Sequence, residues 1–443
     1  LKAVGPDSLQ AKELAVIGFF TLGFFLFLMI LRAPIGLSMG AAALVGLMLV
    51  DYPLQMIPAQ VVSAVQATEL LAVPFFILVG NIANAGGLTT RIFDFAATLV
   101  GHWRGGLAHV NVLASMIFAG MSGAGVADIA GLGIIEMKAM TDRGYEKAYS
   151  AAITISSAVI GPIIPPSIPM VIYAIIADAS VGRVLLAGAL PGVVIGILLM
   201  IMTRILVGIG WAQLPTEPRA PLREVGRTFA IGFWALLTPL VLLSGFVMGV
   251  VTPSEAGVLA SVYAIIVGFI YRTLTIRKLI DALKGSLIPI SQIMFLIAMA
   301  GAMRWLIAAE RVPITIGEWV LAISAGKPYV FLLMINAFYL IMGCFMHGLS
   351  TLIITLPIFL PLLETFQIDP VHFGVITVFN AMIGMCTPPV GMGLFIITSV
   401  TDVRYDEVTR KIYPLVGALL LALLIVTYVP AISLWLPNLL MGK

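Results

Sequence analysis

Two short stretches concentrate the residues of this chain that could hold a ligand. The first runs Gly161-Pro162-Ile163-Ile164-Pro165-Pro166-Ser167-Ile168-Pro169, inside an apolar segment from Ala148 to Ile176. Proline has no N–H to donate and its ring clashes with the preceding turn, so these four prolines cannot share one regular helix. The helix must unwind near Gly161 and restart near Pro169. Unwound backbone at membrane depth persists only where it is buried in protein or lines a cavity. The second stretch, Gly384-Met385-Cys386-Thr387-Pro388-Pro389-Val390-Gly391, lies in the apolar segment from Val371 to Val400. Gly384 follows Gly161 by 223 residues, and the same offset carries Pro165-Pro166 onto Pro388-Pro389, Pro191 onto Pro414 and Gly120 onto Gly343. Paired broken helices in two halves point to the midplane site of a secondary transporter.

A broken helix exposes carbonyls at one half-helix end and N–H groups at the other. Carbonyls coordinate Na⁺, and the positive N-terminal end attracts an anionic group. Each half therefore builds one expected Na⁺ site. The first uses Gly120, Ser122 and Ser156 or Ser157 with Gly161, Ile164 and Pro166. The second uses Gly343, Gly384, Thr387 and Pro389. Ile164, Pro166 and Pro389 would act through main-chain carbonyls. Pro165, Ser167, Pro388 and His347 are the expected substrate contacts. The bland alternative is that glycines pack membrane helices and prolines kink them. Recurrence of Pro-Pro at matched positions, each after a Gly, favours the site. Asp128 suits either a helix cap or a cation contact. His347 suits a substrate contact or a structural histidine. Arg304 could meet a substrate carboxylate, but snorkelling or pairing with Glu310 fits better. Glu255 is explained by a helix N-terminus.

The 443 residues are 61% hydrophobic and only 10% charged, with net charge +3 and mean hydropathy +1.12. Soluble proteins carry about 25% charged residues. The composition is that of a polytopic protein embedded in a lipid bilayer. Basic residues gather in a few loops, which suits membrane topology and not nucleic-acid binding. Cys344 and Cys386 have no metal-type spacing. The sequence contains no HExxH, nucleophile elbow or phosphate loop, so an enzyme or an ATP-driven pump is not expected. The start at Leu1 suggests a trimmed chain or one cut from a longer polypeptide. Leu14–Leu31 is long enough to span and is not expected to be a cleavable signal.

The hydrophobic pattern supplies the elements that position these stretches. Residues 1–69 hold the scaffold spans Leu14–Leu31 and Ile35–Val50 and an interfacial arm. Residues 70–211 form a first repeat. It contains an apolar run Leu70–Ala85, a surface helix Leu88–His102, a re-entrant hairpin over 106–140, the broken helix 148–176 and the span Val184–Gly208. The hairpin arms are shorter than the roughly 20 residues of a span, and the tip falls near Gly120–Asp128. Residues 212–285 hold a cytoplasmic linker, Gln213–Arg227, the scaffold spans Thr228–Val250 and Glu255–Tyr271, and a basic loop Arg272–Lys284. Residues 286–443 form the second repeat, with Ser286–Ala309, Val312–Ala325, a hairpin 329–363 tipped at Gly343–Ser350, the broken helix 371–400 and a last span Leu415–Leu436. Arg32, the Lys138–Lys147 loop, the linker and Arg272–Lys284 fit the cytoplasmic side. Both termini then fall outside, and the halves enter from opposite faces as an inverted repeat.

At these residues the chain resembles the DctM family, the large membrane subunits of tripartite ATP-independent periplasmic (TRAP) transporters. The matching stretches are Ser122-Gly123 with Ala127-Asp128, Gly144-Tyr145, Gly161 to Ser167, Thr252-Pro253-Ser254-Glu255-Ala256, Gly343 with Phe345, Pro357 with Pro361, and Gly384 with Thr387 to Gly391. They cover the chain from about Arg32 to Pro414. The resemblance implies an all-α elevator-type transporter in which two hairpins and two broken helices slide against a scaffold. It also implies Na⁺-coupled uptake of an organic acid across a bacterial inner membrane. The implied partners are a small four-helix membrane subunit (DctQ-like) and a periplasmic substrate-binding protein. His347-Gly348 stand where the family often carries Asp, and Ala124 stands where a second Ser is common. Both differences concern side chains at the tips and leave the carbonyl part of each site intact. Two other functions fit the residues: a single-component Na⁺-coupled dicarboxylate or citrate symporter, and a non-transporting membrane scaffold subunit.

Overall fold

The computed structural model describes residues 8–442 except 32, 51, 213–214 and 248–250. Arg32 and the linker's first residue Gln213, used above, lie outside the described residues. Among the described residues the chain is helical, with no strand. The first half runs α1 (Ser8–Ile30), α2 (Ile35–Leu49), α3 (Met56–Val65), a 3₁₀ turn (Thr68–Leu71), α4 (Ala72–Ala85), α5 (Leu88–Val100), α6 (Gly106–Ser122), α7 (Gly125–Ala130), α8 (Leu132–Asp142), α9 (Lys147–Ala158), α10 (Ile168–Ile176), α11 (Val181–Ala187) and α12 (Ala189–Gly208). The second runs α13 (Leu222–Val247), α14 (Pro253–Ile270), α15 (Ile276–Ala309), α16 (Val312–Ser324), α17 (Pro328–Phe345), α18 (Gly348–Phe359), α19 (Leu362–Phe366), α20 (Pro370–Gly384), α21 (Met392–Val400), α22 (Tyr405–Tyr428) and α23 (Pro430–Met441). Seven helical stretches among the described residues are long and apolar enough to cross a membrane.

Local chemistry sets the starts. Pro253 and Pro370 open α14 and α20 in the first turn, where the missing N–H costs nothing. Thr252 and Glu255 form a reciprocal capping box at the first of these. Asp369 accepts from the Val371 N–H at 2.7 Å at the second. Thr275 caps α15.

The offset of 223 residues seen in the two breaks extends through the fold. It carries α1 and α2 onto α13 and α14, α5 onto α16, α6 onto α17, α7 onto the start of α18, α9 onto α20 and α10 onto α21. The packing repeats with partners exchanged between halves. Helix α2 packs on α15 as α14 packs on α4, α1 meets α16 as α13 meets α5, and α10 rests on α18 as α21 rests on α7. Such exchange is what a two-fold relation between the halves produces. The broken helices occupy the centre: every residue of Ala148–Ala158 and Val371–Gly384 is buried. That is why both read as apolar on all faces.

Four elements differ from the sequence pattern. The second arm of the first hairpin is two helices, interrupted at Gly131. The span expected over 184–208 starts earlier, at Val181, and runs to Gly208, with its helix interrupted at Gly188, which the Ile163 carbonyl approaches closely. Helix α15 continues through Pro289 for 34 residues and absorbs much of the expected basic loop, including Arg277, Lys278 and Lys284. The last span ends at Tyr428, and Pro430, which has no N–H, begins the separate α23.

Candidate functional site

The first break spans residues 159–167, between α9 and α10. Ser167 caps α10, its Oγ accepting from the Met170 N–H at 3.2 Å and donating to the Pro162 carbonyl. Its proton is thereby engaged. The tip of the first hairpin sits on this loop. The Ile168 N–H donates to the Gly123 carbonyl at 3.2 Å. Gly123 has φ +61°, and a Cβ there would strike the Pro166 carbonyl. Across the tip the Ser122 hydroxyl donates to Asp128, whose other carboxylate oxygen lies against the Cα of Gly161. Asp128 is buried and lies inside α7, so it bridges tip and break and does not cap.

The second break spans residues 385–391. Here the hairpin meets the broken helix through bare backbone: a Cβ on Gly343 would lie 2.8 Å from the Gly384 Cα. Gly348, at the start of α18, is pressed as closely on the Ala381 carbonyl. The Thr387 hydroxyl donates to the Ile383 carbonyl at 2.9 Å. The Pro389 carbonyl accepts the Tyr405 hydroxyl at 2.6 Å. Both Pro-Pro bonds, Pro165-Pro166 and Pro388-Pro389, are cis.

A cavity of about 340 Å³ separates the two tips. Ser122 and His347 line it, one from each hairpin. Pro165, Ser167 and Pro388 do not; Pro162 and Pro169 stand there instead. The starts of α7, α10, α18 and α21 all reach it, at Gly125, Ile168, Gly348 and Met392. The described lining contains no Lys, Arg, Asp or Glu. Its electrostatics therefore come from helix N-termini and neutral polar groups, an arrangement suited to an anion. Asn81 and Asn84 of α4 and Gln292 of α15 add polar groups from the opposite wall. Asn81 donates to Ser286 at 2.7 Å, tying α4 to α15.

Other candidates sit away from the cavity. Gly120 lets α6 approach Pro239 of α13, where a Cβ would lie 2.8 Å from the ring Cγ. The Ile164 side chain fills the space over Gly192. Ser156 donates back to Ala152 at 2.8 Å. Ser157 donates to Asn111 at 2.6 Å, in a buried network that also holds Glu136 and Thr154. Arg304 is exposed and forms no ion pair with Glu310 among the described residues. The sequence reading missed Asn81, Asn84, Asn111 and Glu136. Their signal was present, as polar or ionisable residues inside apolar segments.

A family model described as "Tripartite ATP-independent periplasmic transporter, DctM component" matches residues 22–432. The chain is 38% identical over 411 residues to the sialic acid TRAP transporter large permease protein SiaM of Vibrio cholerae, covering 92% of this chain and 96% of that one. It is 38% identical over 370 residues to the C4-dicarboxylate TRAP transporter large permease protein DctM of Pseudomonas aeruginosa, covering 83% and 86%. Its fold is similar to the crystal structure of the Alcanivorax borkumensis YdaH transporter, with TM-score 0.63 at 14% identity over 95% of this chain and 98% of that one.

Proposed function

This chain belongs to the DctM family of TRAP transporter large permeases, and on that premise we propose that it imports an organic acid by coupling to Na⁺. The observation that carries the reading is the convergence of four helix starts from both halves on one cavity without fixed charge. An anionic solute entering it meets N–H groups from two hairpins and two broken helices. His347, Asn81, Asn84 and Gln292 supply hydrogen bonds that orient it.

The opposite ends of the interrupted helices supply carbonyls. Ser122, Asp128 and the backbone at Gly161 form a hard-oxygen set whose chemistry fits Na⁺. Asp128 would add the charge that makes the first site the stronger one. At the 223-residue offset its place is taken by Thr351, so the second site rests on carbonyls near Gly343, Gly384 and Thr387. Bound Na⁺ would neutralise charge near the cavity and favour solute entry. The reading includes an elevator movement of the hairpins and broken helices against the remaining spans. It places the chain in a bacterial inner membrane with both termini periplasmic. A small membrane subunit and a periplasmic binding protein are the partners. The relatives named for sialic acid and C4-dicarboxylates make these acids the first solutes to test.

The test is uptake of labelled acids into proteoliposomes containing the chain and its small subunit. The inward Na⁺ gradient and the binding protein are varied independently. Uptake that requires both supports the reading. Uptake with Na⁺ alone would identify a single-component symporter, and no uptake by folded protein would identify a scaffold subunit.

A further inference from the structure

Glu136 lies in α8, in the second arm of the first hairpin, and takes no part in the cavity. It is 1% exposed. Its Oε2 accepts from Asn111 at 2.8 Å, while Oε1 has no hydrogen-bond partner. Apart from Asp128, the polar groups around it are neutral: the Asn111 amide and the hydroxyls of Thr154, Ser115 and Ser157. Asn111 also donates to Thr154 at 2.7 Å and accepts from Ser157 at 2.6 Å. Ser115 donates to Ser157 at 3.1 Å, and Ser115 also faces the carboxyl.

No described basic residue forms an ion pair with Glu136. Helices α5, α6, α7 and α9 pack against α8. On α7 the facing group is Asp128, itself acidic. On α6, His109 turns its Nε2 to the Arg104 carbonyl at 2.8 Å. On α9, Tyr149 bonds Thr203 and Lys147 is exposed. On α5, Arg91 lies over the Tyr271 ring at 3.9 Å, and Asp94 sits near Arg91 and Arg143. On α8 itself Lys138 and Asp142 are not buried.

A buried carboxylate with only neutral donors and no counter-charge is strongly disfavoured, so it takes up a proton or holds a cation. We propose that Glu136, backed by Asn111, Thr154, Ser115 and Ser157, binds a single positive charge, as a proton or as Na⁺. The site joins α6, α8 and α9, and Ser157 lies four residues before Gly161. A charge bound there is placed to steady the end of α9 that forms the first break. The proposal extends the cation-coupled reading above, but its test needs no solute and no transport.

The chain is purified in nanodiscs. Bound ²²Na⁺ per chain is counted for wild type and E136Q, and the protonated-carboxyl infrared band of each is followed against pH. One fewer Na⁺ in E136Q assigns the site to Na⁺. An equal count, with a wild-type band that titrates and is missing from E136Q, assigns it to a proton. An equal count with no Glu136 band at any pH, while the protein stays folded, overturns the proposal, and a Glu136 band present at every pH assigns a permanently held proton. E136D serves if E136Q does not fold, because it keeps the carboxyl but retracts it from Asn111. Its expected effect is a shifted titration or a Na⁺ affinity weakened about tenfold; wild-type values for both would also overturn the proposal. Loss of Na⁺-driven uptake bears on the transport reading alone and leaves these measurements interpretable.

Discussion

Gly343 and Gly384 face each other with no side chain between them, so the second hairpin tip lies directly on backbone. Overpacking of this kind costs about 1–3 kcal/mol. Gly384→Ala is therefore expected to lower thermal stability by that order and to abolish Na⁺-driven uptake; wild-type uptake with unchanged melting would remove the crossing from the site. Tyr405 tests a neighbouring atom. Its hydroxyl, on a half-buried ring, donates to the Pro389 carbonyl, and such a bond contributes about 1 kcal/mol. Tyr405→Phe frees that carbonyl. Tighter apparent Na⁺ binding is expected if Pro389 contributes a ligand, and an unchanged Na⁺ dependence would exclude it. His347 is the ionisable side chain that lines the cavity among the described residues. His347→Ala should raise the solute concentration needed for half-maximal uptake about tenfold or more, the consequence of losing a hydrogen bond worth roughly 1–3 kcal/mol where the partner group is left unpaired.

At the scale of elements, each break works with a hairpin, and the first pair meets through Gly123. Its positive φ and the Pro166 carbonyl beside it leave no room for a Cβ. The left-handed conformation alone adds about 1–2 kcal/mol for a residue with a side chain. Gly123→Ala should unseat the tip from the first break and remove uptake. Gly144→Ala is the control, since it also has positive φ but an open Cβ position at the hairpin base. Equal loss in both variants would show that backbone strain, and not seating of the tip, is responsible. The linker between the halves is also tied to this hairpin. Arg143 pairs with Glu217 at 2.6 Å, and Tyr145 donates to the Pro215 carbonyl at 2.6 Å. The ion pair is partly exposed and contributes little by itself.

For the whole molecule, the exchange of partners between halves makes the two breaks equivalent in position but unequal in charge. Asp128 has Thr351 as its counterpart, and Glu136 has Phe359. Titration of uptake against Na⁺ should therefore resolve a tighter and a weaker component. Asp128→Asn should remove the tighter one, and a single component unchanged by that substitution would contradict the assignment. A tag placed after Lys443 should be accessible to protease from the periplasmic side of spheroplasts. Protection there, with cleavage after lysis, would reverse the orientation.

The membrane class, the two breaks and the duplication were legible in the chain because proline chemistry and hydrophobic periodicity are local. Gly161, Gly384 and the Pro-Pro pairs announced themselves in this way, and Ser122 and His347 followed from the hairpin tips. Helix continuity was less legible, because packing decides whether Pro289 is carried inside a helix while Pro430 starts a new one. The cavity wall was not legible. Asn81, Asn84 and Gln292 reach it only because α4 and α15, distant in sequence, pack together beside the tips. Nor could spacing reveal that the hydroxyls of Ser156, Ser157 and Ser167 are already engaged, or that Glu136 is enclosed without a counter-charge. Those facts depend on which side chains three-dimensional packing brings within hydrogen-bond distance, and residue order constrains that only through the fold.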